Sequence, residues 1–173
     1  MSEKNKKELH SKIISGLKSN DTKVVNESIH QLREEGQLQD IVILFDLLLK
    51  QPSEEIKDTI LKFLADIKDK KADQIFVNAI TEEKYSSIRK EITGICWQSS
   101  IDFTPYVSVF VDVLIQSDFE TAFEAFTVIE NFTSKINEDE KILQQDKLKD
   151  AIPVAAEEVK GMIHECIHIL DQF

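Results

Sequence analysis

The sequence repeats one pattern along most of its length, at a spacing of about 32 residues. In each copy an apolar helix is followed by a short polar turn and then by a second segment with apolar residues at positions i, i+4 and i+7. Such a spacing marks one face of an α-helix, so the recurrence predicts an array of helical hairpins. The apolar triplets are Val25/Ile29/Leu32, Ile56/Ile60/Phe63, Ile88/Ile92/Ile95, Ala122/Phe126/Ile129 and, in a looser copy, Val159/Ile163/Cys166.

The repeats organise the whole chain of 173 residues, which has a suitable length for one domain with a continuous core. We therefore predict an all-α fold in a single domain, 1–173, with approximate repeats 4–36, 37–70, 71–100, 101–135 and 136–173. Segment 137–150 is charged and lacks a strong apolar stripe, and it lengthens the last interval to about 39 residues. We interpret it as a looser helix within a terminal repeat, because the end repeats of such arrays are often atypical.

Several residues at the turns have the chemistry of helix ends. Asp21 is a suitable N-cap residue, and Gly36 is a suitable residue after a helix C-terminus. Ser117-Asp118-Phe119-Glu120 matches a capping box. The predicted helices are 4–19, 21–35, 38–50, 53–70, 72–82, 86–99, 106–117, 118–134 and 157–171, with Pro105 at a first helical position.

Charge limits the classes of partner. Asp and Glu number 32 against 21 Lys and Arg, giving a formal net charge of −11, and only two arginines occur. Neutralising phosphates requires clustered basic residues, so the composition disfavours nucleic acid and anionic membrane surfaces. The longest apolar run, 41–49, is too short to span a bilayer. The polar N-terminus does not resemble a signal peptide, and two cysteines do not indicate a disulfide framework, so we expect a cytoplasmic protein.

The second helix of two repeats begins with a β-branched residue followed by a basic one, at Ile56-Lys57 and Ile88-Arg89. At the corresponding positions, Val25-Asn26 and Ala122-Phe123 have the apolar first residue but no basic second residue. Together with the turns, the pattern resembles the HEAT-repeat family over about nine-tenths of the chain. The resemblance implies a right-handed α-α superhelix, an armadillo-like solenoid of about five hairpins, with the second helix of each pair lining the concave side. The family is a scaffold with many functions.

The string His164-Glu165-Cys166-Ile167-His168 matches the H-E-x-x-H pattern of zinc hydrolases, in which two His bind zinc and Glu acts as the base. A helical wheel places His164 and His168 opposite the apolar face, with Glu165 to the side, and the sequence ends at Phe173 without a third ligand further on. A metal-dependent enzyme with His164 and His168 as candidate ligands is the alternative function. The interpretation that we favour is that these residues form an ordinary solvated face of the last helix.

Two further functions follow from members of the HEAT family. Some of its hydroxylases carry His-Glu pairs in several repeats to hold a di-iron centre, but only His164-Glu165 matches here, and His30 is followed by Gln31. HEAT-like glycosylases need a basic concave surface to hold DNA. The acidic charge of this chain disfavours that nucleic-acid-binding alternative.

Trp97 is the single tryptophan, and the helical wheel places it about 180° from the Ile88/Ile92/Ile95 stripe. We expect it in the concave groove; the competing interpretation buries it between repeats. We predict a non-enzymatic protein-interaction scaffold without metal or cofactor, whose partner is a basic or amphipathic protein or peptide. Self-association into a homodimer through an open end of the array is a further possibility. The candidate binding residues are Glu34, Leu61, Thr93, Trp97, Glu124 and Asn131.

Overall fold

The computed structural model describes the backbone of residues 3–173 and the side chains from Asn5 onwards. This part of the chain contains ten α-helices and no β-strand, as the sequence predicts for an all-α fold. The helices are α1 (Glu3–Gly16), α2 (Thr22–Glu35), α3 (Asp40–Leu48), α4 (Glu54–Ala65), α5 (Asp73–Thr81), α6 (Arg89–Gln98), α7 (Val107–Gln116), α8 (Phe119–Glu130), α9 (Glu138–Ala151) and α10 (Glu157–Leu170).

The chain forms two compact units, a first that ends at Ile67 and a second that comprises Lys68–Phe173. In the first unit α1 packs against α2, α3 packs against α4, and α2 packs against α4. In the second unit the hairpins are α5/α6, α7/α8 and α9/α10, and α8 also contacts both α6 and α10. Within each unit the second helices of neighbouring hairpins therefore pack side by side. The single continuous domain stays a prediction.

The predicted apolar triplets supply much of the core. Thirteen of their fifteen members, including Cys166, are buried, whereas Phe63 and Phe126 are half-buried. In α4 the face continues to Leu64 instead, which is fully buried, and Phe63 lies beneath the guanidinium of Arg33 at 5.7 Å from its ring centre. The triplets thus identify the correct helix faces to within about one residue position.

A row of phenylalanine rings runs through the second unit and connects its three hairpins. Consecutive rings are 6.2, 5.8, 6.2 and 6.2 Å apart between centres, with interplanar angles of 70° to 86°. Each pair therefore has the edge-to-face geometry that adds about 0.5–1.5 kcal/mol to area burial. The phenylalanine row comprises, in order of contact, Phe76, Phe103, Phe110, Phe132 and Phe173.

The helix ends agree with the sequence at α2 and differ from it at α8. Asp21 caps α2 by accepting a hydrogen bond from Lys23 N at 2.9 Å, and Gly36 N donates to Leu32 O at 2.9 Å. The predicted capping box beginning at Ser117 is wrong by one residue. Asp118 is the N-cap of α8, because its extended backbone lets its carboxylate accept from Thr121 N at 2.9 Å.

Several other helices are shorter than predicted. Helix α4 ends at Ala65, and a 3-10 helix at Lys70–Ala72 precedes α5. A 3-10 helix at Glu83–Ile88 occupies the start of the helix predicted from residue 86, and Pro105 lies within another, Thr104–Tyr106, rather than at the start of α7. These tight turns carry the chain into each helix with i to i+3 hydrogen bonds, which the apolar pattern does not distinguish from α-helix.

Segment 137–150 is a regular helix, α9, and not a loose one. Asn137 caps it by accepting from Asp139 N at 2.9 Å. The buried Gln145 explains the missing apolar stripe, because its Nε2 donates to Ile167 O at 3.2 Å and to Asp171 Oδ1 at 2.6 Å. A polar side chain with buried partners thus fastens α9 to the end of α10.

Helix α3 carries the longest apolar run, and it begins at a buried acid. Asp40 accepts hydrogen bonds from Gln37 N at 2.7 Å and from His10 Nε2 at 2.8 Å, which ties the start of α3 to α1. None of the helices between residues 3 and 173 has the length and apolar character needed to cross a membrane.

The phenylalanine row gives a direct test of the core. Phe110 is fully buried in α7, so Phe110→Ala should lower the free energy of unfolding by about 3–5 kcal/mol through the cavity it leaves. Phe123→Ala removes the same atoms from a residue that is 51% exposed and should cost less than about 1 kcal/mol. Urea denaturation of both variants measures the difference. Equal losses in the two variants would contradict this packing.

Candidate interaction surface on α6 and α8

Trp97 lies in the last turn of α6 and is 39% exposed. The apolar stripe of the same segment, Ile88, Ile92 and Ile95, is buried, so the indole lies off the core face. Its Nε1 donates a hydrogen bond to Glu124 Oε2 of α8 at 2.6 Å. The indole is therefore held at the surface by a charged acceptor on the neighbouring helix.

Gly94 makes room for that acceptor. A Cβ atom at this position would lie 2.9 Å from Glu124 Oε2 and 3.2 Å from its Cδ, closer than side chains normally approach. The missing side chain therefore lets the Glu124 carboxylate rest against α6, one turn before Trp97. The sequence shows Gly94 only as an isolated glycine, since the residue it accommodates lies on another helix.

Thr93 does not belong to this surface. It is completely buried, and its hydroxyl has no hydrogen-bond partner within the described chain. The sequence prediction includes Thr93 among the binding residues, but α6 packs against both α5 and α8, which encloses more of its circumference than one apolar stripe suggests. Thr93 therefore cannot touch a partner.

A pocket of about 200 Å³ opens where the C-terminal ends of α6 and α8 come together. Trp97 lines one side of it and Asn131, the exposed C-cap of α8, lines another. Asn131 is held in place because its Nδ2 donates to Thr127 O at 2.8 Å. Asp102 and Thr133 contribute further polar groups to the lining.

Asp102 is the only carboxylate among the side chains that line this pocket, and none of the lining residues is basic. Its Oδ1 accepts from Thr104 N at 3.0 Å and from Thr104 Oγ1 at 2.5 Å, and its Oδ2 accepts from Ser134 Oγ. Thr104 Oγ1 in turn accepts from the backbone nitrogens of Thr133 and Ser134 at 3.1 and 3.2 Å. These bonds tie the segment after α6 to the segment after α8.

The same bonds keep the Asp102 carboxyl ionised. Partial burial raises its pKa, but hydrogen bonds from Ser134, Thr104 and Thr133 outweigh that effect and lower the pKa below its ordinary value. No Lys, Arg or His of the described residues forms an ion pair with it. The pocket therefore holds a negative charge that forms no ion pair with the part of the chain that the structure describes.

The two basic residues at the start of α6 have partners outside the pocket. Arg89 and Lys90 are the only ones between positions 89 and 131. Arg89 Nε donates to Ile80 O at 2.8 Å, and Lys90 Nζ lies 2.5 Å from Glu120 Oε2, a hydrogen bond that raises the lysine pKa. Glu124 forms no direct ion pair among the described residues, although its charge also contributes to the raised pKa of Lys90.

An exposed aromatic pair lies nearer the start of α8. Phe119 is 45% exposed, and its ring centre lies 6.4 Å from that of Phe123, one turn later on the same helix. Large apolar side chains that lie together on a surface often mark sites of protein contact. The triplet pattern does not identify this pair, because it selects the buried face of α8 and the two rings lie to one side of that face.

The remaining sequence candidates belong to the first unit. Glu34 is exposed on α2, and Leu61 is half-buried on α4. Around them, Arg33 Nη1 pairs with Asp66 Oδ2 at 2.8 Å. Of the six candidates, the structure therefore brings three together in the second unit. Trp97 bonds to Glu124, and Trp97 and Asn131 line the same pocket.

The H-E-x-x-H string lies on α10. His164, Glu165 and His168 are all exposed, while Cys166 between them is buried. Burial raises the pKa of the Cys166 thiol, and the charges of Glu130 and Glu165 raise it further. Among the residues that the structure describes, no three His, Cys, Asp or Glu side chains are grouped so that they could hold a metal ion.

Comparison with known proteins gives no further guide to this surface. A scan of the chain against protein-family models finds no match, and a search of curated protein sequences finds none that is significantly similar.

The contact between Gly94 and Glu124 can be tested with two matched variants. Gly94→Ala should displace the Glu124 carboxylate and shift the NMR resonance of the Trp97 indole N–H, the only indole in the chain. Gly161→Ala, in α10, meets nothing within 4 Å and should raise the free energy of unfolding by about 0.5–1 kcal/mol without moving that resonance. An unchanged indole signal in Gly94→Ala would show that Glu124 does not depend on the missing side chain.

Proposed function

We propose that the protein is a non-enzymatic interaction module that binds a basic or amphipathic peptide or protein surface. The surface formed by α6 and α8 in the second unit carries this function. The observation that supports it most is the partly exposed Trp97 indole, which is fixed by Glu124 and lines a pocket whose Asp102 carboxylate forms no ion pair among the described residues.

Tryptophan is among the residues that contribute most to binding energy at protein interfaces. A fixed indole loses little conformational entropy on binding, since its orientation is already set by the bond to Glu124. The unpaired charges of Glu124 and Asp102 favour an approaching cationic segment and accelerate its association. Phe119 and Phe123 offer an apolar contact to the other face of such a segment.

We also propose that the helix pairs within each unit are HEAT-like repeats that stack as an α-solenoid. The support is the packing of second helices on one another, α2 on α4 in the first unit and α6 and α10 on α8 in the second. In such an arrangement the second helices form the ligand side, which is where Trp97 and Glu124 lie.

The proposal assigns no reaction to the chain. Both thiols are buried and have raised pKa values through desolvation, and a protonated buried thiol is a poor nucleophile. The exposed His164 and His168 are available to solvent as ordinary surface residues on α10.

Selection from a library of random displayed peptides tests the proposed function. We expect the protein to enrich peptides that combine Lys or Arg with aromatic or aliphatic residues. Trp97→Ala should weaken binding of the enriched peptides by about 2 kcal/mol or more, because it removes the anchor. Isothermal titration calorimetry with synthetic copies measures the loss.

The matched control is Val154→Ala, which truncates a residue that is 86% exposed in the turn between α9 and α10. Its affinity for the same peptides should equal that of the wild type. Peptides that bind Trp97→Ala as tightly as the wild type, or a library that yields no specific sequence, would overturn the proposal.

A further inference from the structure

We propose that the pocket at the C-terminal ends of α6 and α8 receives one basic side chain, arginine or lysine, of the bound segment. This inference rests on the proposed function and specifies the chemistry of the same surface. Three features support it: the position of the pocket at two helix ends, the unpaired charge of Asp102, and the indole wall supplied by Trp97.

The first feature is the position. The last carbonyl groups of a helix have no partner within the helix, and they carry the negative end of its dipole. The segments that line the pocket, Trp97 to Phe103 and Asn131 to Thr133, follow directly from the last turns of α6 and α8. A positive group that enters here therefore meets the favourable end of both helices.

The second feature is the charge of Asp102. Three hydrogen bonds fix the carboxylate in place, and no cation of the described chain pairs with it. The carboxylate is therefore preorganised for an incoming guanidinium or ammonium group, with no internal ion pair to break. A charge-assisted hydrogen bond to such a fixed acceptor is stronger than one between neutral groups.

The third feature is the indole. A cation near the face of a tryptophan ring is attracted by its quadrupole, and arginine also stacks on it. The volume of about 200 Å³ lies below the range of about 300–1,000 Å³ that is usual for small-molecule sites. A pocket of this size suits the end of one side chain. We expect the rest of the bound segment to lie along the surface towards Phe123.

The test uses the single indole N–H as its reporter. ¹⁵N-labelled protein is titrated with N-acetyl-arginine methylamide and with N-acetyl-lysine methylamide. The neutral comparisons are the citrulline analogue, which has nearly the shape of arginine, and the norleucine analogue of lysine. We expect saturable shifts of the Trp97 indole resonance with the cationic probes, weakened as the salt concentration rises, and no saturation with the neutral ones.

Two variants separate charge from structure. Asp102→Asn keeps the size of the side chain but removes the charge, and it should weaken binding of the arginine probe by about tenfold or more. Asp150→Asn removes the same charge from an exposed residue of α9 that does not line the pocket, and it should retain binding within about threefold. If Asp102→Asn fails to fold, the comparison of arginine with citrulline on the wild type still decides the question.

Equal shifts with arginine and citrulline would overturn the inference, and so would full binding in folded Asp102→Asn. The peptide selection gives an independent result. Enriched peptides that depend on Trp97 but tolerate replacement of every basic residue would refute the cationic pocket and leave the interaction module standing. Binding of the arginine probe without any enriched peptide would refute the module instead.

Discussion

The packing of α8 among three other helices is the constraint on which the second unit depends. Helix α8 contacts α6, α7 and α10, and it can do so because small residues, Ala122 and Ala125, lie on its buried side. With most of its circumference enclosed, only a narrow strip of α8 remains for solvent. That strip carries the Phe119 and Phe123 pair. The groups that build the candidate surface are therefore those that the packing of α8 leaves outside the core.

The same packing explains why the surface is ordered. Glu124 reaches Trp97 across the contact between α8 and α6, at a point where Gly94 leaves space for it. Beyond the ends of the two helices, Asp102 and Thr104 hold the segment after α6 against the segment after α8. A side chain that binds here meets groups already in position, so little conformational entropy is lost on binding.

The parts of the fold that the sequence predicts are those that follow from local periodicity. The triplets locate the buried faces because an apolar residue recurs on each helical turn, and Asp21 marks a helix start through a bond to its own neighbours. The phenylalanine row has no such period. Phe76 and Phe103 meet only because two hairpins pack together, and the same holds for Phe132 and Phe173.

In the candidate site, too, the sequence predicts what depends on one helix and misses what depends on contacts between distant segments. The helical wheel places Trp97 off the core, since that depends only on its own helix. The prediction that Thr93 lies on the surface is wrong, because a single helix pattern does not show how many neighbouring helices enclose α6. The sequence shows Asp102 only as a turn residue before Thr104, whereas its bond to Ser134 joins it to a segment remote in sequence. Long-range contacts of this kind require the fold.

Collisional quenching of the single tryptophan tests the surface most directly. Trp97 is partly exposed and its indole bonds to the Glu124 carboxylate, so caesium should quench its fluorescence more strongly than iodide at equal ionic strength, when each ion is scaled to its quenching of free N-acetyl-tryptophanamide. Raised salt should reduce this difference, because the attraction of the carboxylates is screened. A blue-shifted emission that neither ion quenches would show that Trp97 is a core residue. Stronger quenching by iodide would show that the surface around it does not favour cations.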